Sequence, residues 1–240
     1  MGIGPSGRMV IVMRPLMLFD LDGTLVDHDA AELAAISGWI RDADFPANVD
    51  GVPSERVWRS VSEAVFPDYF SGRTTFVEQR RTRIRRFLPL MGVDVADMND
   101  QDLDAQFHEY RHRYESAWRP FPDAVASLTS LASTYRVAVL TNGDQAQQDD
   151  KMERTGLNDL VETTIASSTL GVAKPDPAAF HTAVAFLGAT PSTTVYVGDR
   201  LDIDAQAASA AGLTGIWLNR TADGQAPLAI RTITTLAQLP

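Results

Sequence analysis

Short apolar runs alternate with longer amphipathic segments from Leu16 to Leu218, and this alternation limits the folds open to the chain. Short apolar runs are typical of strands buried on both faces, and the segments between them are typical of helices that cover a sheet. A weaker run covers 160–166, and four clear runs cover 16–19, 136–140, 193–197 and 215–218. The pattern predicts an α/β fold with a parallel sheet flanked by helices.

The segments between the later runs carry helix start and stop signals. Asp176 precedes Pro177 in the order expected of an N-cap and a first helical residue. Glycines follow three of the segments, as they commonly follow helices: Gly156, Gly188 and Gly212. These signals predict helices over 123–132, 144–154, 177–187 and 204–211.

Residues 29–116 break this rhythm, because they contain helical patterns separated by proline and glycine but no convincing buried strand. The predicted helices cover 30–40, 53–64, 75–88 and 102–114. We therefore predict two domains. The core consists of residues 1–28 and 117–240, and an all-helical domain of residues 29–116 is inserted after its first strand.

Charge and composition restrict the partners and the chemistry. The 240 residues include 31 acidic and 21 basic side chains, and the net charge of −10 argues against nucleic acid or an anionic membrane as the main partner. The absence of cysteine excludes a thiolate nucleophile, a disulfide scaffold and any zinc site with cysteine ligands. The apolar stretch 9–13 is shorter than a signal-peptide core or a membrane span. We predict a cytoplasmic protein with a loose extension over residues 1–14, in which Met9 and Met13 are alternative starts.

Two carboxylates follow the first predicted strand. Asp20 and Asp22 stand two residues apart in the segment Asp-Leu-Asp-Gly-Thr, so an extended chain would point both side chains the same way. Ligands of open α/β sheets bind at the carboxyl ends of the strands, which is where these residues fall. On its own the segment is more typical of a turn in which the acids satisfy loop amides, because Asp-Gly pairs commonly form turns.

The next strand end and a later loop also carry polar residues. The run 136–140 is followed by Thr141, Asn142 and Gly143, a hydroxyl and backbone amides suited to holding phosphate oxygens. Lys174 opens a later loop, and Lys151 is the only other lysine beside nineteen arginines. A compact ammonium is therefore indicated at Lys174, where arginine would otherwise be expected.

The run 193–197 ends in an acidic loop that contains Asp199, Asp202 and Asp204. Clustered carboxylates suit a hard divalent cation. Together the strand ends supply a carboxylate nucleophile, a second carboxylate, a hydroxyl, an ammonium and metal-binding acids. Phosphoryl transfer requires this combination, because it depends on in-line positioning, charge neutralisation and a metal.

In their order and spacing these four signatures resemble the motifs of the haloacid dehalogenase superfamily, and residues 29–116 resemble the helical cap that many members carry. The resemblance implies a Rossmann-like core with an inserted cap and a Mg²⁺-dependent phosphatase acting on a small phosphoester. It makes Asp20 the nucleophile and Asp22 the acid for the leaving alcohol and then the base for water. Asp22 favours the phosphatase branch, because the dehalogenase branch lacks an acid there.

The resemblance also implies the ligands. Mg²⁺ would be held by Asp20, the backbone carbonyl of Asp22 and Asp199, and supported by Asp204. The substrate phosphate would contact Thr141, Asn142, Gly143 and Lys174. Asp202 is an additional acid in the same loop, so the sequence leaves open which of Asp202 and Asp204 supports the metal.

Several alternatives remain at this level. A phosphosugar mutase of the same fold would typically carry a histidine about twelve residues after the nucleophile, where this chain has Glu32. A non-enzymatic regulator of the same fold is disfavoured because no expected catalytic side chain is missing. His108-Glu109-x-x-His112 matches the pattern of a zinc peptidase helix, but the longer pattern fails at Glu115 and Trp118.

Other residues have two interpretations each. His28 either borders the substrate pocket or belongs to a hinge. The arginines between Arg80 and Arg86 spread around a predicted helix, so they form a solvated face or, in part, meet an anionic substrate. His181 and the four tryptophans are expected to be structural, with Trp118 near the linker to the core.

Overall fold

A computed structural model describes residues 14–225 and 227–240 of the chain. The apolar stretch 9–13 and the alternative starts Met9 and Met13 lie outside the described residues, as does all of the predicted extension except Arg14. Within the described residues, no helix is both long enough and apolar enough to cross a bilayer.

Six parallel strands form one sheet in the order β5-β4-β1-β6-β7-β8. Their bounds are β1 Leu16–Phe19, β4 Arg136–Thr141, β5 Thr164–Ala166, β6 Thr194–Gly198, β7 Thr214–Leu218 and β8 Arg231–Ile233. Phe19 at the end of β1 is level with Val139 on one neighbour and Val197 on the other. The polar residues after these strands therefore emerge at one edge, and the predicted α/β fold is confirmed.

Both faces of the sheet are buried, which explains the unbroken apolar runs. Met17 and Phe19 of β1 pack on one face with α5 Ala124–Leu131 and α6 Gln145–Arg154, while Leu16 and Leu18 pack on the other. That second face is covered by α8 Pro177–Phe186 and α9 Ala207–Ala210, and the short α7 Ser167–Leu170 follows β5. Asp176 caps α8 as predicted, since its side chain accepts a hydrogen bond from the Ala178 amide at 2.9 Å.

The predicted helix 204–211 begins instead as a wide π-helical turn over Leu201–Gln206. The Asp204 carboxylate accepts the Arg200 amide at 3.0 Å, and the Arg200 carbonyl accepts the Asp204 amide at 2.9 Å. These two bonds hold the acidic loop against the end of β6. Apolar periodicity does not distinguish such a turn from an α-helix, so the prediction missed it.

Four helices between β1 and α5 surround a separate apolar cluster, and we call them the cap: α1 His28–Asp42, α2 Ser54–Phe70, α3 Phe76–Phe87 and α4 Asp100–Ser116. The cap is helical apart from a hairpin of β2 Asn48–Val49 and β3 Val52–Pro53. Asp50 and Gly51 turn this hairpin with φ of 49° and 79°, the positive values that an Asp-Gly pair favours. The hairpin is mostly exposed, so no apolar run marks it. The domain boundaries at residues 28 and 117 stay a prediction.

The sixth strand, β8, was not predicted because it is short and two of its three residues are exposed. Asp123 ties it to the core: its carboxylate accepts bonds from the Arg220 guanidinium at 3.0 and 3.1 Å, from the Thr235 hydroxyl at 2.6 Å and from the Leu236 amide at 2.9 Å. Arg220 also donates to the Thr24 carbonyl at 2.8 Å. This network joins the C-terminal segment to the loop that follows β1.

We expect Asp123→Ala to lower the free energy of unfolding at neutral pH by about 2–3 kcal/mol, because charge-assisted bonds are lost and Arg220 is left unpaired. Burial alone would raise the pKa of Asp123, but the bonds from Arg220, Thr235 and Leu236 lower it. The contribution is therefore present above about pH 4 and lost as the pH falls through the lowered pKa. Urea unfolding at several pH values measures it, with Asp97→Ala as an exposed control. Equal losses in the two variants would contradict the role of Asp123.

Candidate active site

Three carboxylates and one ammonium meet at the carboxyl edge of the sheet. Asp20, Asp199 and Asp204 each offer an oxygen, and these oxygens lie within 4.8 Å of one another. The Lys174 ammonium lies 2.7 Å from Asp20 Oδ1 and 2.7 Å from Asp204 Oδ1, and it donates to the Tyr196 hydroxyl at 2.6 Å. The structure thus brings together four residues that the sequence predicted from three separate segments.

Small residues allow this close approach. Gly23 has a φ of 86°, and a Cβ on it would lie 2.5 Å from the Asp199 carboxylate. The neighbouring Thr24 hydroxyl accepts a hydrogen bond from the Asp199 amide at 3.0 Å and lies 3.5 Å from Asp20 Oδ2. The Asp-Gly-Thr sequence after β1 is therefore required for contact between the two loops as well as for turning the chain.

The charges at this edge are buried and unbalanced. When all three carboxylates are ionised they face one ammonium, which leaves an excess of two negative charges. Burial, together with repulsion from neighbouring carboxylates, raises the pKa of Asp20 to about 7 and that of Asp199 to about 8. Burial would lower the pKa of Lys174, but Asp20 and Asp204 outweigh it and raise that pKa well above its usual value.

A divalent cation fits this donor set. Oxygen ligands suit Mg²⁺, and its two charges would neutralise the excess on the three carboxylates. Asp204 belongs to the cluster and is 1% exposed, whereas the Asp202 side chain is 69% exposed and points to Arg200. Asp204 is thus the only one of the two that lies in the site. The role of the Asp22 backbone carbonyl as a metal ligand stays a prediction.

The Asp22 carboxylate is held by a second lysine that the sequence analysis left without a role. Lys151 of α6, which is 1% exposed, lies 2.5 Å from Asp22 Oδ1, and Gln148 donates to Asp22 Oδ2 at 3.1 Å. Burial would raise the pKa of Asp22, but Lys151 and then His28 outweigh it and lower the pKa. Asp20 and Asp22 therefore have opposite pKa shifts. Burial and neighbouring carboxylates raise the pKa of Asp20, whereas Lys151 and His28 lower the pKa of Asp22.

The residues after β4 are only partly free to bind phosphate. Thr141 is buried beside the site, and its hydroxyl lies 3.4 Å from Gln148 Nε2. The Asn142 side chain is occupied by the Lys174 backbone, donating to its carbonyl at 2.8 Å and accepting its amide at 2.9 Å. The Gly143 amide donates to the Ser167 hydroxyl at 2.9 Å. Asn142 thus positions Lys174, and a phosphate contact from the Gly143 amide would require that bond to be exchanged.

A cavity of about 460 Å³ lies between the core and the cap. Its lining includes Asp20, Asp22, Lys174 and other residues of the core loops, together with side chains of all four cap helices. His28 lies at this boundary, with its Nδ1 2.7 Å from the Tyr114 hydroxyl and 3.9 Å from Asp22 Oδ1. His28 therefore borders the cavity, as the pocket interpretation requires, and it also begins α1 where the chain enters the cap, as the hinge interpretation requires.

The zinc-like pattern does not form a site among the described residues. His108, Glu109 and His112 are exposed on α4, and Glu109 pairs with Arg113. They are not among the groups of three or more ligating side chains found in the described part of the chain. Within residues 14–225 and 227–240, no third ligand joins this pair of histidines, so the structure gives no support to a peptidase.

The residues expected to be structural have structural contacts. His181 Nε2 lies 2.8 Å from the Ala211 carbonyl. Trp39 and Trp58 are buried in the cap, and Trp118 is buried directly after α4, near the linker as predicted. The Trp217 indole donates to the Asp199 carbonyl at 2.8 Å, so it supports the acidic loop from behind.

A family model described as haloacid dehalogenase-like hydrolase matches residues 15–212. Glyceraldehyde 3-phosphate phosphatase from Methanopyrus kandleri is 28% identical over 210 residues, covering 87% of this chain and 85% of that protein. The family model thus includes the whole cap and the core through β6 and α9.

Solved structures show the same fold. The HAD-hydrolase YfnB from Bacillus subtilis, solved with magnesium, has a TM-score of 0.76 at 23% identity, covering 95% of this chain and 97% of that one. A 2-haloacid dehalogenase from Pseudomonas syringae pv. Tomato has a TM-score of 0.69 at 29% identity, with the same coverage. Proteins similar to this chain thus include a phosphatase and a dehalogenase.

We expect Lys174→Met to lower the free energy of unfolding by about 3–5 kcal/mol near pH 8 without divalent cations, because it leaves buried carboxylates uncompensated. The loss should shrink near pH 5, where the unpaired carboxylates take up protons, so the variant is stabilised relative to wild type as the pH falls. Chemical denaturation at both pH values measures it, with Arg86→Met as the exposed control for removal of a positive charge. A change below about 1 kcal/mol at both pH values would show that Lys174 does not balance this cluster.

Proposed function

Because the chain belongs to the haloacid dehalogenase-like hydrolase family, we propose that it is a Mg²⁺-dependent phosphatase that hydrolyses a small phosphorylated metabolite through a phosphoryl group on Asp20. The observation that supports this most strongly is the separate pairing of the two carboxylates that follow β1. Lys174 contacts Asp20, Lys151 contacts Asp22, and both aspartates line one cavity. This arrangement suits a nucleophile beside an acid-base group.

In the first step, an Asp20 carboxylate oxygen attacks phosphorus and the bond from phosphorus to the ester oxygen breaks. The departing oxygen takes a proton from Asp22 and leaves as an alcohol. Lys174 lies 2.7 Å from Asp20 Oδ1, so its ammonium is placed to offset charge on the nucleophile and on the transferred group. The Thr141 hydroxyl orients a phosphate oxygen.

In the second step, water attacks the phosphorus of the aspartyl-phosphate and Asp22 accepts its proton. Phosphate leaves and the Asp20 carboxylate is restored, so each residue ends in its starting form. Asp20, Asp199 and the Asp22 carbonyl would hold Mg²⁺, with Asp204 supporting the site, and the ion would supply charge neutralisation for the phosphate oxygens when bound.

The protonation of Asp22 differs between the two steps. Lys151 and His28 favour the ionised carboxylate, which is the form needed as a base for water. An arriving phosphate dianion adds negative charge nearby, and a like charge raises the pKa of a carboxyl group. Substrate binding therefore favours the proton that the first step consumes. Lys151 limits this rise, so it sets the balance between the acid and base roles.

A dehalogenase would use the Asp20 nucleophile but would have no leaving alcohol to protonate. Asp22 and its lysine would then have no chemical task, so we favour the phosphatase. A phosphosugar mutase would typically carry a histidine at position 32. This chain has Glu32 there, which is buried and accepts a hydrogen bond from Arg59 Nε at 3.1 Å.

Asp20→Asn should lower kcat by at least about 10³-fold while the fold is retained, because an amide lacks the charge and nucleophilicity to attack phosphorus. The assay is phosphate release from p-nitrophenyl phosphate with Mg²⁺, and circular dichroism checks the fold. Asp202→Asn makes the same change at an exposed residue of the acidic loop and should remain active. Activity of Asp20→Asn close to that of Asp202→Asn would remove Asp20 from the mechanism.

Chelation should stop phosphate release and added Mg²⁺ should restore it. Asp199→Asn should raise the Mg²⁺ concentration needed for half-maximal rate by at least about tenfold, since a ligand is weakened. The Mg²⁺-induced rise in melting temperature gives the same comparison without turnover. The opposite result is chelator-resistant activity, or activity lost in both His108→Ala and His112→Ala with zinc in the purified protein.

A further inference from the structure

The arginines of α3 divide between two faces. Arg81 pairs with Asp100 and Asp104 at 2.6 Å each, and Arg85 pairs with Glu78 and Asp100, all on the outer face of the cap. Arg80 and Arg83 line the cavity instead. Neither guanidinium takes part in an ion pair among the described residues, even out to a carboxylate–nitrogen distance of 4.0 Å.

Arg83 is buried without a carboxylate. It is 5% exposed, its Nε has no hydrogen-bond partner among the described residues, and its Cζ lies 4.3 Å from the Trp58 ring centroid and 5.2 Å from that of Phe66. Burial lowers its pKa, although an arginine remains charged at neutral pH. The aromatic faces offset part of the desolvation of the guanidinium but do not neutralise it.

Arg80 lies one turn earlier on the same face. Its Cζ is 3.9 Å from the Phe76 ring centroid, and burial, with repulsion from Arg111, lowers its pKa to about 10. Among the acids that line this part of the cavity, Asp29 and Glu32 bind Arg59, and the exposed Glu63 pairs with neither Arg80 nor Arg83 among the described residues; the nearby Glu115 pairs with Arg111. Two guanidinium groups thus share the cap end of the cavity without a partner anion among the described residues.

The Tyr69 hydroxyl adds an unused donor. It is buried, lines the same cavity and has no hydrogen-bond partner among the described residues. Burial raises its pKa to about 12, so it stays a neutral donor at physiological pH. Two cations and a hydroxyl donor are the groups that bind a carboxylate or phosphate oxygen.

We propose that Arg80, Arg83 and Tyr69 form a subsite for a second anionic group, so that the substrate is a phosphomonoester with a carboxylate or a further phosphate at the end remote from the scissile ester. This inference rests on the proposed phosphatase function and specifies its substrate class. An anion at this position would pair with the two guanidinium groups, and it would fix the substrate across the space between α3 and Asp20.

Three homologous series of synthetic substrates test the subsite. They are ω-carboxyalkyl phosphates, alkane-α,ω-bisphosphates and ω-hydroxyalkyl phosphates of matched chain length. At the length that spans the cavity, kcat/KM should be about 10- to 100-fold higher for an anionic tail than for the hydroxyl tail, as expected for one charged hydrogen-bonded contact. The better of the two anionic series identifies the group as carboxylate or phosphate.

Variants locate the subsite. Arg80→Met and Arg83→Met should each reduce the preference for the anionic tail, mainly through KM, and should leave the hydroxyalkyl phosphates nearly unaffected. Arg86→Met removes the same charge from an exposed position of α3 and should keep the full preference. Arg80 is less buried than Arg83, so Arg80→Met serves as the test if Arg83→Met fails to fold.

The outcomes separate the two proposals. Equal kcat/KM for all three series at every length, or a preference that survives both arginine variants, would overturn the subsite while leaving the phosphatase intact. Absence of hydrolysis in every series with Mg²⁺ present would overturn the phosphatase. In that case the matched non-hydrolysable phosphonates, compared by calorimetric Kd, still decide whether an anionic tail binds at these arginines.

Discussion

The buried ammonium of Lys174 is the contact on which the site depends. It joins the loop after β1 to the loop after β6 through Asp20 and Asp204, and Tyr196 fixes it from below. Without it, burying these carboxylates within 4.8 Å of each other would be strongly unfavourable. The remaining negative charge suits a cation at the same place. Structural neutralisation and the proposed catalytic chemistry therefore involve the same four side chains.

A parallel sheet makes this arrangement possible, because strands distant in sequence end at one edge. The core supplies the groups proposed to react, and the cap helices supply just over half of the residues that line the cavity. The balance of charge differs between the core and the cap. At the sheet edge, carboxylates outnumber cations, whereas the cavity face of α3 carries arginines without carboxylates. A phosphoester with Mg²⁺ at one end and an anionic tail at the other would satisfy both excesses.

Most of the core and the central site residues could be predicted from the sequence, because the apolar runs and the polar residues after them carry a periodic signal. Lys151 was missed, although the argument from lysine scarcity that selected Lys174 applies to it equally. Its partner Asp22 lies 129 positions away, and no local pattern records such a distance. Two other features depend on tertiary packing in the same way. They are the hydrogen bond from the Gly143 backbone amide to the Ser167 hydroxyl, and the placement of Arg80 in the cavity while Arg81 pairs with Asp104.

The central claim is that a phosphoryl group passes through Asp20. Acid quenching during turnover with Mg²⁺, followed by digestion and mass spectrometry, tests it most directly, since acyl phosphates survive brief exposure to acid. The account predicts a phosphoryl group on the peptide that contains Asp20, appearing before free phosphate and decaying with it. Steady phosphate release with no phosphorylated peptide at any time, or with the phosphoryl group on another residue, would contradict it.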